Sequence, residues 1–175
     1  LGSPIQVSIS QFYGIEINDF AVTVAKTALW IAESQMMKET EDVVHMALDF
    51  LPLKTNACII EGNALRMDWE SVVPKAELNY IMGNPPFVGA RLMEKEQKDD
   101  LNLVFAGHKN AGNLDYVSGW YKKAANLMKG SSIRSALVST NSITQGEQVP
   151  ILWKTLIDDG VHIDIHYHSE TLAMR

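Results

Sequence analysis

Apolar and polar positions along this chain switch between a period near two and a period near 3.6, and the switches mark alternating strands and helices. Gln11 to Ile17 is rich in aromatic and β-branched residues and ends in Glu16-Ile17-Asn18-Asp19, which predicts a strand followed by a helix cap. The helix is expected from about Phe20 to Met37, where Val24, Thr27–Ala28, Ile31 and Gln35–Met36 recur at helical spacing among good helix formers. A second, shorter helix around Asp42–Leu48 should stop before Pro52. Ala57 to Glu61 reads as a second strand closed by Gly62-Asn63, and Asn79 to Gly83 as a third. A polar, charge-dense connection over Glu94–Asp100 then leads to a helix from Leu114 to Lys129, with Gly130 as its stop. Ser135 to Thr140 is a strand of the buried type. A helix from Val149 or Pro150 to Ile157 ends at the turn Asp159-Gly160, and Val161 to Tyr167 alternates strictly as the last strand. Strands separated by helices predict an α/β fold with a doubly wound, mostly parallel sheet. No repeat, low-complexity tract or linker interrupts residues 1–175, which read as a single domain.

The third strand carries the sharpest signal, because it runs directly into Asn84-Pro85-Pro86-Phe87. Neither proline has an N–H to give a ladder, so the chain must leave the sheet there. Asn84 is thereby expected at the strand's carboxyl end and Phe87 just beyond it, on the edge of an open α/β sheet where ligands bind. An amide, freed carbonyls and an aromatic face suit a planar ring bearing an amino group. Such a nitrogen is a poor nucleophile, since its lone pair is delocalised into the ring. The Asn84 side-chain oxygen and the Pro85 carbonyl can hold its two hydrogens, favour a tetrahedral nitrogen and aim the lone pair at an incoming methyl group. Phe87 stacking on the ring would contribute about 1–3 kcal/mol, and stiff prolines would hold the arrangement before substrate arrives.

Composition narrows the setting. No apolar stretch approaches the roughly 18 residues of a membrane span, and Leu1-Gly-Ser-Pro-Ile5 is no secretory signal. A cytoplasmic location is therefore expected. The single cysteine, Cys58, excludes an internal disulfide framework and a cysteine-only zinc site, and within Ala57-Cys-Ile-Ile60 it is expected as a buried core thiol. The net charge of −6 opposes a whole-surface grip on nucleic acid. Its distribution is uneven: residues 107–134 carry Lys109, Lys122, Lys123, Lys129 and Arg134 against the lone acid Asp115. That zone could lie along a phosphate backbone or be an ordinary solvated face. No Gly-x-Gly-x-x-Gly occurs, which disfavours a generic dinucleotide-binding domain.

Two further strand ends offer chemistry. Glu16 stands before a helix at a strand's carboxyl end, where doubly wound folds accept hydrogen bonds from a ribose diol; a solvated strand-end charge is the plain alternative. Glu61-Gly62-Asn63 closes the next strand, and Asn63 offers a donor and an acceptor suited to an adenine edge, or simply a turn. His162, Asp164, His166 and His168 should share one face of the last strand, yet same-face neighbours sit about 6.6 Å apart, so no metal site is expected.

Taken in order, Gly14-Ile-Glu-Ile-Asn18, Gly62-Asn-Ala-Leu65 through Asp68-Trp69, Met82-Gly-Asn-Pro-Pro-Phe87 and Leu137-Val-Ser-Thr-Asn-Ser-Ile-Thr-Gln145 resemble the adenine-N6 DNA methyltransferases that use S-adenosylmethionine. The resemblance is to the methyltransferase region of large fused restriction–modification enzymes of type IIG character, and it covers nearly the whole chain. It implies a class I methyltransferase, or Rossmann-like, fold acting on an adenine flipped out of double-stranded DNA. By that resemblance the cofactor-binding set is Glu16, Ile17, Asn63, Ala64 and Asn84, with Glu16 on the ribose and Asn63 on the adenine. Asn84, Pro85 and Phe87 would be catalytic, gripping the target base, and Ser139 to Gln145 would line the far side of its pocket.

Two departures follow. The family's glycine-rich cofactor loop and first strand are absent and would lie before Leu1; its last strand and DNA-reading region would follow Arg175. The chain therefore reads as a partial catalytic domain whose partners are DNA and the remainder of its own polypeptide. Cofactor binding by the segment alone is expected to be weak or nil. Methyltransferases acting on guanine-N2 of RNA or on protein glutamine share Asn-Pro-Pro with Phe or Tyr and remain alternatives, as does a non-catalytic nucleotide-binding segment.

Overall fold

The computed structural model describes residues 6–45, 56–108, 110–167 and 171–174, the last four and residues 165–167 by their backbone. The chain divides into two compact units, Leu1–Asp68 and Trp69–Arg175.

In the first unit Ser8 caps a 3-10 turn, Ile9–Gln11, through a capping box in which the Ser8 N–H donates to Gln11 Oε1 at 2.8 Å. Strand β1, Tyr13–Glu16, lies parallel to β2, Cys58–Glu61, in a register running from Tyr13 opposite Cys58 to Glu16 opposite Glu61. Gly14 faces Ile59 so closely that a Cβ there would lie 2.8 Å from Ile59 Cδ1. Asn18 caps helix α1, Asp19–Val44, its Oδ1 accepting from the Ala21 N–H at 3.1 Å. Val22, with Ala25, Leu29 and Trp30, packs α1 against Ile9, Ala57 and Ile59.

Two expectations fail in this unit. α1 runs on to Val44, where His45 stops it in a left-handed conformation (φ 52°). No glycine or proline separates Met37 from Val44, so nothing halts the ladder there. Asp42–Val44 are thus its last turn, and 46–48 of the expected second helix lie outside the described residues. Cys58 is exposed, not buried. Its neighbours Ala57 and Ile59 turn into the core, and alternation along β2 sends the thiol to the opposite face.

The second unit is built on four strands in the order β3-β4-β6-β5. β3, Tyr80–Gly83, and β4, Arg134–Val138, are parallel, from Tyr80 opposite Arg134 to Gly83 opposite Leu137. β5, Ile163–Tyr167, and β6, Thr171–Met174, are both paired antiparallel: β6 lies between β4 and β5 and opposes each. Val161–Tyr167 is therefore not the last strand, and the sheet is mixed. Only three residues separate β5 from β6, too few for the crossover that a parallel return requires. The expected strict alternation also breaks, because the register slips between Ile163 and Ile165.

A helix covers one face of β4. Ser135 and Leu137 of β4 are buried, and Tyr121 of α3, Ser118–Met128, sits over them with its hydroxyl 3.1 Å from the Leu137 carbonyl. Tyr80 and Met82 of β3 point to the other face and are 66% and 76% exposed. The segment expected as the connection Glu94–Asp100 is helical: α2 spans Lys95–Val104, with Glu94 and Gln97 forming a capping box. Its apolar stripe is thin. Leu101 is buried in α2, and Phe105 one turn on; of the charged residues Asp100 is buried with them, and Lys95, Glu96, Lys98 and Asp99 lie toward water. α3 begins at Ser118 rather than Leu114, after a 3-10 turn at Ala111–Asn113, and Gly130 (φ 71°) follows its end as expected. The helix expected from Val149 or Pro150 opens as a π-helical turn, Val149–Trp153, and continues as α4, Lys154–Asp158. Trp153 meets Tyr121 edge-on, ring centroids 5.5 Å apart.

Candidate active site

The β3 ladder ends at Gly83, paired with Leu137, and residues 84–89 continue without regular structure. Pro85 is buried and anchors the bend, whereas Asn84 and Pro86 are exposed and Phe87 is 48% exposed. Among the described residues no hydrogen bond engages the Asn84 amide. The segment beyond is pinned. Val88 O accepts from the Tyr116 N–H at 2.8 Å, Asp115 Oδ1 from the Ala90 N–H at 3.0 Å, and Gly89 O from the Leu92 N–H at 2.9 Å.

Because β3 and β4 are parallel neighbours, the segment after β4 leaves from the same end of the sheet. It forms a 3-10 turn, Asn141–Thr144. The Ser142 hydroxyl donates to Asp115 Oδ2 and lies 2.6 Å from Thr140 Oγ1. The Ile143 carbonyl accepts from Trp153 Nε1 at 2.7 Å, and Ser139 Oγ is 3.1 Å from the Tyr121 hydroxyl. Burial raises the Tyr121 pKa above its ordinary value, so this phenol stays protonated as a donor, the Ser139 hydrogen bond opposing the shift.

In the first unit, Glu16 and Asn63 stand at the carboxyl ends of the parallel strands β1 and β2. Glu16 O accepts from the Gly62 N–H at 2.8 Å. Glu16 is half-buried, and its Oε1 accepts from the Asn18 N–H at a long 3.3 Å. Asn63 Oδ1 accepts from the Leu65 N–H at 2.9 Å, an Asx turn that commits part of its acceptor capacity. Ala64 is half-buried beside it, and Ile17 is exposed.

Other candidate features are less coherent. Of the basic zone, Lys122 is buried and donates to Asp159 Oδ2 at 2.6 Å, and Lys129 Nζ lies 3.6 Å from Asp159 Oδ1. Lys123 Nζ sits 5.6 Å from the centroid of the Trp69 ring; Lys109 lies outside the described residues. The Lys122 hydrogen bond, then its charge, hold the Asp159 carboxyl below its usual pKa. A cavity of about 370 Å³ opens beside that pair, lined by His108, Pro150 and Lys154 among others, and it includes none of Asn84–Phe87. His162 Nε2 is 3.8 Å from Asp164 Oδ1; of the other two histidines of the expected face, His166 is described by its backbone and His168 lies outside the described residues.

The family described as the DNA-methyltransferase domain of MmeI matches residues 2–172. This chain belongs to that family. It is 46% identical over 166 residues to DNA methyltransferase A of Bacillus subtilis (strain 168), covering 93% of the chain and 19% of that protein. It is also similar to the solved structure of the type IIL restriction–modification enzyme MmeI in complex with DNA. There the TM-score is 0.86 and the identity 38%, over 97% of the chain and 24% of the MmeI chain. The chain thus spans about a fifth to a quarter of the length of these two relatives.

Within the MmeI-type domain, reasoning from the sequence missed Asp115 and Gln148. Asp115 is 8% exposed and ties three segments together, its N–H donating to Gln148 Oε1 at 3.1 Å. One trace of it was legible: Asp115 is the lone acid among the five bases of residues 107–134.

Proposed function

We propose that this MmeI-family domain transfers a methyl group from S-adenosylmethionine to N6 of an adenine flipped out of duplex DNA, as part of a restriction–modification enzyme in the cytoplasm. The observation that carries the reading is the exposed Asn84 amide just past the last β3–β4 pair, which no hydrogen bond engages among the described residues, followed at once by Pro85 and half-exposed Phe87. Asn84 Oδ1 and the Pro85 carbonyl accept the two amino hydrogens, and Phe87 stacks on the ring. No strong base is required, because the nitrogen becomes acidic once alkylated.

The residues proposed to contact the methyl donor are Glu16, Ile17, Asn63 and Ala64 in the first unit and Asn84 in the second. S-adenosylmethionine supplies an electrophilic methyl on a sulfonium. Glu16 suits its ribose: among the described residues one carboxylate oxygen is engaged, by a long bond, so lone pairs remain for the diol. Asn63 suits the adenine by residue type, an amide with a donor and an acceptor, its Oδ1 also serving the Leu65 N–H. The parallel β1–β2 and β3–β4 pairs and the antiparallel β6 support a class I, Rossmann-like methyltransferase fold. On this reading residues 1–175 are one partial catalytic domain, completed by the rest of the polypeptide, and DNA is its partner.

The test is nucleoside analysis after incubating the full-length protein with S-adenosylmethionine and duplex DNA. N6-methyladenine is expected with the parent protein and not with Asn84→Ala. Methyl transfer to ribosomal RNA guanine or to protein glutamine, with none to duplex DNA, would refute the reading.

A further inference from the structure

We propose that Asp115 is a positioning residue that locks the Asn84–Phe87 loop to the segment after β4, so that the two walls of the base pocket move as one body; this rests on the function proposed above. Asp115 is buried and belongs to neither strand. Its two carboxylate oxygens serve different segments: Oδ1 accepts from the Ala90 N–H, three residues past Phe87, and Oδ2 from the Ser142 hydroxyl in the turn after β4. Its own N–H donates to Gln148 Oε1, and the neighbouring Tyr116 N–H to Val88 O at 2.8 Å. A second link extends the tie, since Tyr116 also donates through its hydroxyl to buried Asp100 Oδ2 on α2 at 2.7 Å.

The chemistry explains why an acid stands here. A backbone N–H and a hydroxyl arriving from two segments need one acceptor group with two lobes, and a short carboxylate supplies both from a single rigid branch. β3 and β4 fix only the bases of the two segments, through the Gly83–Leu137 pair. Among the described residues no ladder joins them beyond that pair, and Asp115 bridges them. Phe87 and Asn84 carry little packing of their own, so their placement depends on what holds residues 88–90. A misplacement of about 1 Å at a reacting group can cost about a hundredfold in rate.

The experiment uses the full-length protein and a duplex carrying 2-aminopurine at the adenine that the parent methylates. Asp115→Ala should lower kcat by about 10–100-fold and weaken the flipped-base fluorescence, while affinity for S-adenosylmethionine and the melting temperature change little. Asp115→Asn should recover most of the loss, because the amide keeps one acceptor for Ala90 and the Ser142 hydroxyl can reverse its role. Ser142→Ala, half-exposed and safe to fold, should cost about fivefold, the equivalent of one ordinary hydrogen bond. Parent-like kcat and fluorescence in both Asp115→Ala and Ser142→Ala would overturn the inference. So would an Asn variant no better than Ala, since charge and not geometry would then matter. A parent protein that methylates no adenine would remove the functional reading itself, an outcome distinct from either.

Discussion

Phe87 offers the cleanest separation between a structural and a functional side chain. Full burial of a phenylalanine contributes about 1.5–3 kcal/mol, and Phe87 is 48% exposed, so truncation to alanine should cost less than about 1.5 kcal/mol of stability. A stacking platform contributes about 1–3 kcal/mol per base, which corresponds to about 5- to 150-fold in base capture. The two costs are read by different assays. Thermal melting of full-length Phe87→Ala should stay near that of the parent. Fluorescence of 2-aminopurine at the target adenine should report a weakened flipped state, and the methylation kcat should fall with it. Phe87→Trp presents a larger π-face and should retain most of both signals. Equal losses in the Ala and Trp variants, or a lowered melting temperature with undiminished base capture, would refute stacking.

Asn84→Ala should nearly abolish methyl transfer while calorimetry shows unchanged affinity for S-adenosylmethionine; near-parental turnover would refute the role given to the amide. Tyr121→Phe removes a buried hydroxyl bonded to Leu137 O and Ser139 Oγ and should cost about 1 kcal/mol in urea unfolding, a result of zero counting against that contact. Asp159, held below its ordinary pKa chiefly by Lys122, should stabilise the fold fully above about pH 4 and lose that contribution as pH falls through its native value. The gap in urea midpoint between parent and Asp159→Asn should therefore close on acidification, and a gap independent of pH would contradict the assignment. The 175-residue segment alone should bind S-adenosylmethionine weakly or not at all; submicromolar affinity by calorimetry would contradict that.

Local rules reached the strands and the bend that matters most. Prolines 85 and 86 end the β3 ladder because they lack donors, wherever the rest of the chain goes, and Asn84 was placed on that ground alone. β1, β2, β4 and the cap at Asn18 were readable for the same reason: period-two runs and a short polar side chain act over a few residues. Charge density misled at α2, where Leu101 and Phe105 suffice to seat a helix whose other face is solvated. Cys58 misled because an apolar run does not say which of its two faces will be covered.

The sequence by itself determined where the chain must turn and which chemistry stands at each turn: an acid at the end of β1, an asparagine after β2, and Asn-Pro-Pro-Phe after β3. Tertiary structure alone decided that β6 inserts antiparallel between β4 and β5, and that Asp115 joins residues 88–90 to Ser142. The reason is range. A proline or a cap acts on its immediate neighbours, whereas a carboxylate bridging segments 25 and 27 residues away in the chain exists only once the strands beneath them have paired.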